Sequence, residues 1–338
     1  MRPDPTVQMM QYITGAWVSQ AISVAATLGV ADELARGPHQ VEELAQAVGA
    51  DADALYRLLR ALTDLGLFQE LDDQRFALTE VGELLRTDRP GSLAGMAKLI
   101  GAPFHRRAWT DLVESVRTGE SAFERLFGFG FDHFRDHPDD GRILNEGMTA
   151  VSGALVAPSV LAYDFSPFQT IVDVGGGHGA LLAAVLSEHP KSRGVLFDLP
   201  HVIQGAGEPL AMARVKDRCE LVGGDFFESV PSGGDAYLLS NIIHDWGDDD
   251  AVRILANCRA AMKDTGRVLL CESVIPDAPR EPSPTTLIDL EMLVMARGAR
   301  QRTASEYTLL FERAGLHLTG VHGDRGTFSI VEGRPLPE

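Results

Sequence analysis

The chain of 338 residues is 45% hydrophobic and is long enough for two domains with sizeable cores. Its net charge of −18 argues against nucleic acid or an anionic membrane surface as a partner, because either would require a basic face. We expect no membrane-spanning segment, since no run of about 18 apolar residues occurs.

The N-terminal hundred residues predict a winged helix. Residues 6–35 place apolar side chains at helical spacing, and residues 42–48 and 52–66 predict two further helices. Two short runs, residues 68–71 and 75–78, flank a polar turn and predict a β-hairpin. A helix, a turn, a second helix and a hairpin in this order are typical of a winged helix.

Winged helices often bind DNA, but this one is poor in cations. Residues 1–101 contain more acidic than basic side chains, and the second helix of the pair carries only Arg57 and Arg60. A DNA-reading helix needs cations that contact phosphates from its face and flanks. We therefore expect that this domain does not bind nucleic acid.

Residues 93–163 are predicted to be mostly helical, with loops at residues 119–120 and 137–141. The segment is rich in aromatic side chains, most of which are interpreted as ordinary core. It would link the N-terminal domain to the remainder of the chain.

Strand-like and helix-like runs alternate from residue 170 onward, which predicts an α/β domain with a mostly parallel sheet. The predicted strands cover residues 171–174, 193–197, 219–222, 236–241, 267–273, 316–322 and 328–332. Ligands bind at the carboxyl ends of the strands in such sheets. We expect the side chains at or just past the predicted strand ends to converge: Asp173, Asp198, Asp225, His244 and Glu272.

A glycine cluster follows the first of these strands. Gly175, Gly177 and Ala180 satisfy the dinucleotide fingerprint in its G/A form, and Asp198 lies at about the expected distance. The Gly-x-Gly-x-Gly spacing, with Asp173 before it, suits S-adenosylmethionine (SAM) equally well. The loop alone therefore leaves SAM and NAD open.

Three longer strings decide between these cofactors. They are FDLPHVI at residues 197–203, GGDFF at residues 223–227 and NIIHDWGDDDAVRIL at residues 241–255. In this order and spacing, the chain resembles the plant-type, caffeate-like family of small-molecule SAM-dependent O-methyltransferases, in its bacterial secondary-metabolite branch. The resemblance covers roughly the whole chain and is strongest over residues 173–315.

The resemblance implies an α/β fold with two domains and a linker. A Rossmann-like class I methyltransferase domain would cover residues 164–338, and a mostly helical winged-helix dimerisation domain would cover residues 1–100. Residues 101–163 would form a helical linker that contributes to the substrate pocket. The first helices, with Trp17 and the Met9-Met10 pair, would form the interface of a homodimer.

By the same resemblance, the chain binds SAM and releases S-adenosylhomocysteine (SAH). Gly175 and Gly177 would let the backbone approach the methionine end, and Asp198 would bind the ribose hydroxyls. Asp225 and Phe226 would hold the adenine. The resemblance adds four further positions to the cofactor site: Asp173, Leu199, Ser240 and Trp246.

His244 is the predicted general base, because it follows the strand at residues 236–241 and lies in the sequence HDW. A neutral imidazole with a pKa of about 6.5 can accept the proton of a phenol, whose pKa is about 10, although only in part at neutral pH. By the resemblance, His244 removes the hydroxyl proton, and Glu272, at the end of the next strand, would orient the imidazole and stabilise the imidazolium.

Three positions depart from the family pattern or carry an alternative. Gln301 stands where the family has a second glutamate beside the base; it is kept among the catalytic positions, but an amide cannot stabilise an imidazolium by charge. Ser240 stands where many members have a lysine near the cofactor carboxylate. Trp246 would either cover the adenine or pack in the core.

The resemblance also implies the acceptor site. Asn145 and Met148 would line the pocket, and Met292 and Met295 would shape its aromatic slot, since flexible thioethers suit a flat ligand. Helix packing is the alternative interpretation of the last two methionines.

Neither a metal site nor a disulfide framework is expected. The acidic run at residues 248–250 is interpreted as a helix start that interacts with the helix dipole. Cys219, Cys258 and Cys271 form no CxxC pair. They predict reduced thiols and a cytoplasmic protein.

The sequence thus predicts methyl transfer from SAM to a hydroxyl group, most simply a phenol, of an aromatic small molecule. N-methylation, or a SAM-binding relative with altered chemistry on a natural product, is the alternative within the fold. An NAD-dependent dehydrogenase would leave the HDW and GGDFF strings unexplained.

Overall fold

The computed structural model describes residues 4–277, 283, 285–323 and 328–337. The chain divides into two units, Met1–Arg107 with Phe134–Ala154, and Ala108–His133 with Leu155–Glu338. Residues 101–163, the predicted linker, contribute to both units. Within the described residues, no helix combines the length and the apolar character that a membrane crossing needs.

The first 163 residues are mostly helical, as predicted. Their helices and strands, in chain order, are α1 (Pro5–Ile13), α2 (Gly15–Leu28), α3 (Val30–Leu34), β1 (His39–Gln40), α4 (Val41–Val48), α5 (Ala52–Asp64), β2 (Phe68–Leu71), β3 (Arg75–Leu78), α6 (Ala94–Gly101), α7 (Pro103–Thr110), α8 (Leu112–Thr118), α9 (Ala122–Phe127), α10 (Gly130–Asp136), α11 (Pro138–Val151) and α12 (Ala157–Leu161).

The winged helix of the first unit is confirmed at the level of its elements. Helices α4 and α5 are followed by the β2–β3 hairpin at the predicted residues, and β1 adds a third strand in the order β1-β3-β2. Asp51 caps α5, since its side chain accepts a hydrogen bond from the backbone N–H of Ala54 at 2.9 Å. Leu59, Leu62 and Phe76 are fully buried and form the centre of this core.

The predicted loop at residues 137–141 is wrong apart from its first residue. Helix α10 ends at Asp136, and α11 begins at Pro138, so only His137 separates the two helices. Proline is favourable at the first position of a helix, where its missing N–H would have no partner in any case. Asp139 and Asp140 then lie in the first turn of α11, where carboxylates interact favourably with the helix dipole.

Helix α11 packs closely on α6 within the first unit. A Cβ atom at Gly147 would lie 2.6 Å from Cδ2 of Leu99, and one at Gly95 would lie 2.3 Å from the carbonyl oxygen of Glu146. Both positions therefore require glycine for the two backbones to approach this far. The same helix carries the predicted substrate residues of this unit.

The second unit is built on a seven-stranded sheet. From residue 170 its helices and strands are β4 (Thr170–Val174), α13 (Ala180–Glu188), β5 (Arg193–Asp198), α14 (Pro200–Ile203), α15 (Gly207–Met212), β6 (Cys219–Gly223), β7 (Ala236–Ser240), α16 (Asp248–Ala261), β8 (Arg267–Glu272), α17 (Thr285–Met295), α18 (Ala304–Arg313), β9 (Leu316–His322) and β10 (Ser329–Pro335).

The sheet has the order β6-β5-β4-β7-β8-β10-β9. Strands β4 to β8 are parallel, whereas β10 runs antiparallel to both β8 and β9. The prediction of a mostly parallel sheet is therefore confirmed. The chain proceeds outward from β4 in both directions, first through β5 and β6 and then through β7 and β8. This reversal makes the carboxyl edge beside β4 the expected ligand site.

The central strands are buried on both faces. Four of the five residues of β4 and four of the five of β7 are buried, and side chains from α16 and α18 pack over them in one core. Continuous apolar strands of this kind are typical of parallel sheets that are covered by helices. The polar side chains at the strand ends are therefore held on a rigid base.

Candidate active site

The glycine loop after β4 has no side chain of its own at Gly175 and Gly177. Gly175 and Gly177 have φ angles of +71° and +58°, which disfavour residues with a side chain. A Cβ atom at Gly175 would lie 2.6 Å from Cδ1 of Ile242 and 3.6 Å from the ring of Phe226. At Gly177 no heavy atom lies within 4 Å of the same position. The loop can therefore accept a ligand beside the backbone of Gly177, whereas Gly175 lets Ile242 approach the backbone closely.

Asp198 is tied to this loop. Its Oδ2 atom accepts a hydrogen bond from the N–H of Gly177 at 2.8 Å, and its Oδ1 atom accepts one from Leu199 at 2.6 Å. The carboxylate thus ends β5 directly beside the loop that follows β4. The structure brings these three predicted cofactor residues together.

Asp173 is a buried carboxyl group with an unsatisfied oxygen. Its residue is 1% exposed, and its Oδ2 atom has no hydrogen-bond partner among the described residues. Burial, and then the negative charge of Asp198, raise the pKa of Asp173 to about 7. A bound cation would relieve both effects. SAM carries ammonium and sulfonium groups, whereas the diphosphate of NAD would add negative charge, so the two carboxyl groups favour SAM.

The predicted adenine residues also lie at this edge. The ring of Phe226 lies 3.6 Å from the Cβ position of Gly175. It packs edge to face on the ring of Trp246, with the two centroids 5.9 Å apart. Oδ1 of Asp225 accepts a hydrogen bond from Phe227 at 2.8 Å, which orients the carboxylate. Trp246 packs against both phenylalanines, so its aromatic contacts agree with the packing alternative.

A strained residue turns the chain from β7 toward His244. Ser240 is the last residue of β7, and Asn241 follows it with a φ angle of +55°, in the left-handed region that asparagine tolerates better than most residues. The N–H of Asn241 donates to the carbonyl of Cys271 at 3.1 Å. A short 3₁₀ turn, Ile243–Asp245, then carries the histidine.

His244 and Glu272 form a buried pair. Oε2 of Glu272 lies 2.6 Å from Nδ1 of His244, and the glutamate side chain is completely buried. Oε1 of Glu272 accepts hydrogen bonds from the N–H groups of Ile243 at 2.9 Å and of His244 at 3.4 Å. The carboxylate therefore holds both the ring and the backbone of the histidine.

The protonation of His244 differs from the expectation of an ordinary neutral imidazole. Burial alone would lower its pKa, but the charges of Glu272 and Asp245 and the hydrogen bond to Glu272 outweigh it and raise the pKa to about 9. Oδ1 of Asp245 lies 3.4 Å from Nε2, on the other side of the ring. Sequence reasoning did not assign Asp245 a role, although its place next to His244 in the HDW string was a usable signal.

The side-chain amide of Gln301 makes no hydrogen bond to the imidazole of His244. The residue is 1% exposed, and neither Oε1 nor Nε2 of its amide has a hydrogen-bond partner in the described part of the chain. Its backbone N–H donates to Oδ1 of Asp289 on α17 at 2.8 Å. The neighbouring residue, Arg300, donates its N–H to the carbonyl of His244 at 2.8 Å. Gln301 thus lies in the segment beside the histidine turn without bonding to the ring.

The acidic run after the turn is the start of α16, as predicted. Asp248 pairs with the buried guanidinium of Arg302 at 2.8 Å, and Asp249 pairs with Arg313 at 2.6 Å. Among the described residues, no cluster of three or more His, Cys, Asp or Glu side chains is arranged to hold a metal ion. Sequence reasoning assigned no role to Arg302, which has the largest fully buried side chain among the described residues.

The predicted acceptor residues lie on two helices. Met292 and Met295 belong to α17 in the second unit, whereas Asn145 and Met148 belong to α11 in the first. Within the second unit, Ser121 donates its hydroxyl hydrogen to the carbonyl of Val294 at 2.9 Å. The segment 108–133 therefore fixes the backbone of the helix that carries the two later methionines.

Family models match the chain in the order of its elements. A model described as an O-methyltransferase dimerisation domain matches residues 10–88, and one described as an O-methyltransferase domain matches residues 109–317. Phenazine O-methyltransferase PhzM of Lysobacter antibioticus is 45% identical over 329 residues, which are 97% of this chain and 96% of that protein. Phenazine-1-carboxylate N-methyltransferase of Pseudomonas aeruginosa strain PAO1 is 39% identical, over 91% of this chain and 90% of its own length.

Solved structures agree with this assignment. Human N-acetylserotonin methyltransferase, crystallised in complex with SAM, superimposes with a TM-score of 0.90 at 28% identity, and the match covers 99% of each chain. The glycine loop, the paired carboxyl groups beside it and the buried histidine thus occur in a chain whose full length follows this fold. The chain belongs to the family of SAM-dependent O-methyltransferases that combine an N-terminal dimerisation domain with a Rossmann-like methyltransferase domain.

Proposed function

We propose that this O-methyltransferase acts on a hydroxyl group of an aromatic small molecule, with His244 as its general base. The observation that carries the proposal is the His244–Glu272 pair, which lies where β7 and β8 end. The glycine loop after β4 ends at the same edge of the sheet. A base and a cofactor loop at one edge are the two parts that methyl transfer to a hydroxyl requires.

The hydrogen bond to Glu272 defines the role of each imidazole nitrogen. An ionised carboxylate can only accept, so Nδ1 of His244 donates its hydrogen to Oε2 across the 2.6 Å separation. In the neutral ring, the lone pair is then on Nε2. We assign to Nε2 the removal of the acceptor's hydroxyl proton, after which Glu272 stabilises the imidazolium.

The raised pKa brings the base close to its substrate in proton affinity. A phenol has a pKa of about 10, and His244 reaches about 9. Transfer of the phenolic proton to Nε2 is therefore nearly balanced, which favours general base catalysis. The consequence is that the free enzyme carries a protonated His244 at neutral pH, so we expect turnover to increase as the pH rises toward about 9.

The cofactor residues fit SAM by charge and by shape. We assign the glycine loop with Asp173 to the methionine end, Asp198 with Leu199 to the ribose, and Asp225 with Phe226 to the adenine. Ser240 and Trp246 complete this set. When bound, SAM supplies the electrophilic methyl group. The unsatisfied Oδ2 atom of Asp173 and the bare backbone at Gly177 support the assignment.

An aromatic acceptor is supported by the side chains of α17. Met292 and Met295 lie one turn apart on this helix, and thioethers adapt to flat rings. We assign both to the acceptor slot, together with Asn145 and Met148 of α11. The phenazine O-methyltransferase of Lysobacter antibioticus, which is named for a flat aromatic substrate, supports an acceptor of this class and a place in secondary metabolism.

A homodimer through the first helices is supported by their exposed apolar side chains. On α1 and α2, Met9, Tyr12, Ile13 and Trp17 are more than half exposed, and Trp17 reaches 74%. Large apolar groups that cluster on one surface mark an interaction site. The dimerisation-domain match over residues 10–88 includes three of these four residues.

We also propose a cytoplasmic location and a domain division that follows function. Cys219, Cys258 and Cys271 are free thiols, which are typical of a reducing compartment.

We assign residues 1–100 to dimerisation, residues 101–163 to a linker that contributes to the substrate pocket, and residues 164–338 to SAM binding and methyl transfer. Nucleic acid and membranes are not proposed as partners, because the net charge is −18.

N-methyl transfer is the second candidate. It is favoured by the relationship to phenazine-1-carboxylate N-methyltransferase. A ring nitrogen carries no proton that must be removed, so that reaction would not depend on His244 as a base. The pair His244–Glu272 favours the hydroxyl acceptor.

One experiment separates these candidates. Calorimetry with SAM, SAH and NAD tests the cofactor first, and a panel of hydroxylated and nitrogen-containing phenazines, naphthoates and benzoates then tests the acceptor with radiolabelled SAM. We expect SAM and SAH to bind at micromolar concentrations and the hydroxylated compounds to be methylated by the wild type but not by His244→Gln. Equal rates for the wild type and His244→Gln on every accepted compound would overturn the assignment of the base.

A further inference from the structure

We propose that Arg302 is a positioning residue for His244, holding the turn Ile243–Asp245 in the orientation that the base requires. The proposal rests on the role of His244 given above. Arg302 is 1% exposed and is the largest side chain among those that are fully buried. A guanidinium in this environment is costly unless its N–H groups are satisfied.

The guanidinium of Arg302 donates hydrogen bonds to carbonyl groups that precede and follow His244 in the chain. Nη1 donates to the carbonyl of Ile243 at 3.0 Å, and Nη2 donates to the carbonyl of Trp246 at 2.8 Å. Ile243 precedes His244, and Trp246 follows it by two residues. A planar group with fixed donors that bridges these carbonyls limits the rotation of the peptide segment between them.

Asp248 fixes the other edge of the guanidinium. Its Oδ1 atom accepts from Nη2 at 2.8 Å and from Nε at 3.1 Å. Asp248 begins α16, so the arginine connects the histidine turn to the start of a helix. Because the planar group is bound on three sides, it cannot rotate without losing its hydrogen bonds to the carbonyl groups of Ile243 and Trp246.

The backbone of Arg302 is itself anchored. Its carbonyl accepts from the N–H of Ile275 at 3.0 Å, and the next residue, Thr303, caps α18 through a capping box with Glu306. Two residues earlier, Arg300 donates its N–H to the carbonyl of His244 at 2.8 Å. The segment 300–303 therefore forms a rigid support that binds two carbonyl groups of the histidine turn, those of Ile243 and His244, and the carbonyl of Trp246 just after it.

The charge of Arg302 adds a second, measurable effect. His244 faces Glu272 from β8, Asp245 from its own turn and Arg302 from the segment before α18, while Tyr307 of α18 lies near Glu272 and Arg302. The two carboxylates raise the pKa of His244 and the guanidinium lowers it. A variant without the positive charge is therefore expected to hold the imidazole proton more tightly.

Two substitutions separate geometry from charge. Arg302→Lys keeps the charge and the aliphatic stem but loses the planar fork, whereas Arg302→Gln also loses the charge. Arg313→Gln is the matched control, because it removes an arginine that pairs at 2.6 Å with Asp249, the neighbour of Asp248, at the surface. Arg313 and Asp249 are 48% and 95% exposed, so we expect the control to behave as the wild type.

The first measurement follows the titration of His244 itself. Histidine labelled at Cε1 reports ring protonation by NMR in the SAH-bound enzyme, and His244→Gln assigns the signal among the 10 histidines. We expect Arg302→Gln to raise the titration midpoint by about half a pH unit or more and Arg302→Lys to leave it near the wild-type value. A wild-type midpoint in Arg302→Gln would overturn the electrostatic part of the proposal.

The second measurement is the rate per SAH-binding site, with the compound that the acceptor panel selects. We expect both Arg302 variants to keep the KM of the acceptor and the affinity for SAH, and to lose about tenfold or more in kcat, since small misplacements of a catalytic group are costly. If Arg302→Gln does not fold, Arg302→Lys decides the question. Wild-type kcat per binding site in a folded Arg302→Lys, with only a lower melting temperature, would show that the arginine acts on stability alone.

Failure of this proposal is distinguishable from failure of the proposed function. If His244→Gln keeps its turnover, the histidine is not the base, whatever the Arg302 variants do. If His244→Gln is inactive while both Arg302 variants are normal in kcat and in the His244 titration, only the positioning role is wrong.

Discussion

Oε2 of Glu272 lies 2.6 Å from Nδ1 of His244, and Oε1 of the same carboxylate binds the backbone N–H of Ile243 at 2.9 Å. One side chain at the end of β8 thereby fixes both the tautomer of the imidazole and the path of the chain that carries it. The arrangement explains why the base can lie in a short turn, which alone would be a poor support, and still be held rigidly.

Glu272→Gln is expected to lower the pKa of His244, because the charge of Glu272 is the largest of the effects that raise it to about 9. The amide has only one oxygen, so it can accept either the Nδ1 hydrogen or the backbone N–H groups of Ile243 and His244 but not both, and the imidazolium also loses its counter-charge. We expect the midpoint of the pH–kcat profile to move toward about 6.5 and the limiting rate to fall by about 10²–10⁴-fold. An unchanged midpoint would show that the carboxylate does not act on the base.

The raised pKa of His244 also predicts a pH-dependent stability. The folded-state pKa is about 9, and the unfolded value is about 6.5. The stabilisation is therefore complete below about pH 6.5 and is lost as the pH rises through about 9, with a total on the order of 1–3 kcal/mol. Asp173 and Asp245, with pKa values of about 7 and about 6, titrate mainly in the lower part of this window or below it, so the effect of His244 is measured from about pH 7.5 upward.

Urea unfolding of the wild type and of His244→Gln measures this effect. Between about pH 7.5 and about 9.5 the free energy of unfolding of the wild type should fall more steeply than that of the variant. Parallel curves for the two proteins would contradict a raised pKa in the folded state.

Asp173→Asn is expected to stabilise the protein and to weaken SAM binding. The folded state holds the pKa of Asp173 at about 7, against an ordinary value of 3.8, so ionisation at higher pH costs folding free energy. An uncharged amide removes this cost, which is on the order of 1–4 kcal/mol at about pH 8. We expect a higher melting temperature without ligand and a loss of SAM affinity by calorimetry; the cofactor assignment fails if affinity is unchanged.

Much of this fold could be predicted because local pattern and tertiary structure agree. The hairpin at β2 and β3 and the strand β9 have the predicted bounds, since alternation and turn residues determine them. The start of α11 was missed because His137 and Pro138 looked like a loop, although proline at the first helical position is compatible with a helix. The single residue between α10 and α11, His137, leaves no stronger signal in the sequence.

The candidate active site also has some features that could be predicted from the sequence and others that could not. His244 and Glu272 were predictable because Glu272 ends one apolar strand and His244 follows another, and parallel strand ends meet at one edge. The raised pKa of His244 was not predictable, because it depends on how closely Glu272 and Asp245 approach the buried ring. Arg302 was left without a role because a buried arginine has no periodicity that distinguishes it from a surface arginine.

Gln301→Met tests what the unsatisfied amide does. Burying an amide without hydrogen-bond partners costs about 1–3 kcal/mol. Among the described residues, neither Oε1 nor Nε2 of Gln301 has a hydrogen-bond partner. Methionine has a similar length and no strong polar group, so we expect the free enzyme to be stabilised by about 1 kcal/mol. If the amide contacts the acceptor, KM should rise while SAH affinity is kept; if KM and kcat both stay at wild-type values, Gln301 has no catalytic role.

Trp17→Glu is expected to dissociate the proposed dimer. Trp17 is 74% exposed on α2, close in sequence to Tyr12 and Ile13, which are 69% and 63% exposed on α1. A carboxylate in the middle of an apolar interface would be buried without a partner, which costs several kcal/mol of association free energy. Met212→Glu is the matched control, because Met212 is an apolar side chain that is 79% exposed in the second unit. Sedimentation at micromolar concentration should give a dimer for the wild type and for the control and a monomer for Trp17→Glu. A wild type that sediments as a monomer would overturn the interface, and a dimeric Trp17→Glu would move it away from α2.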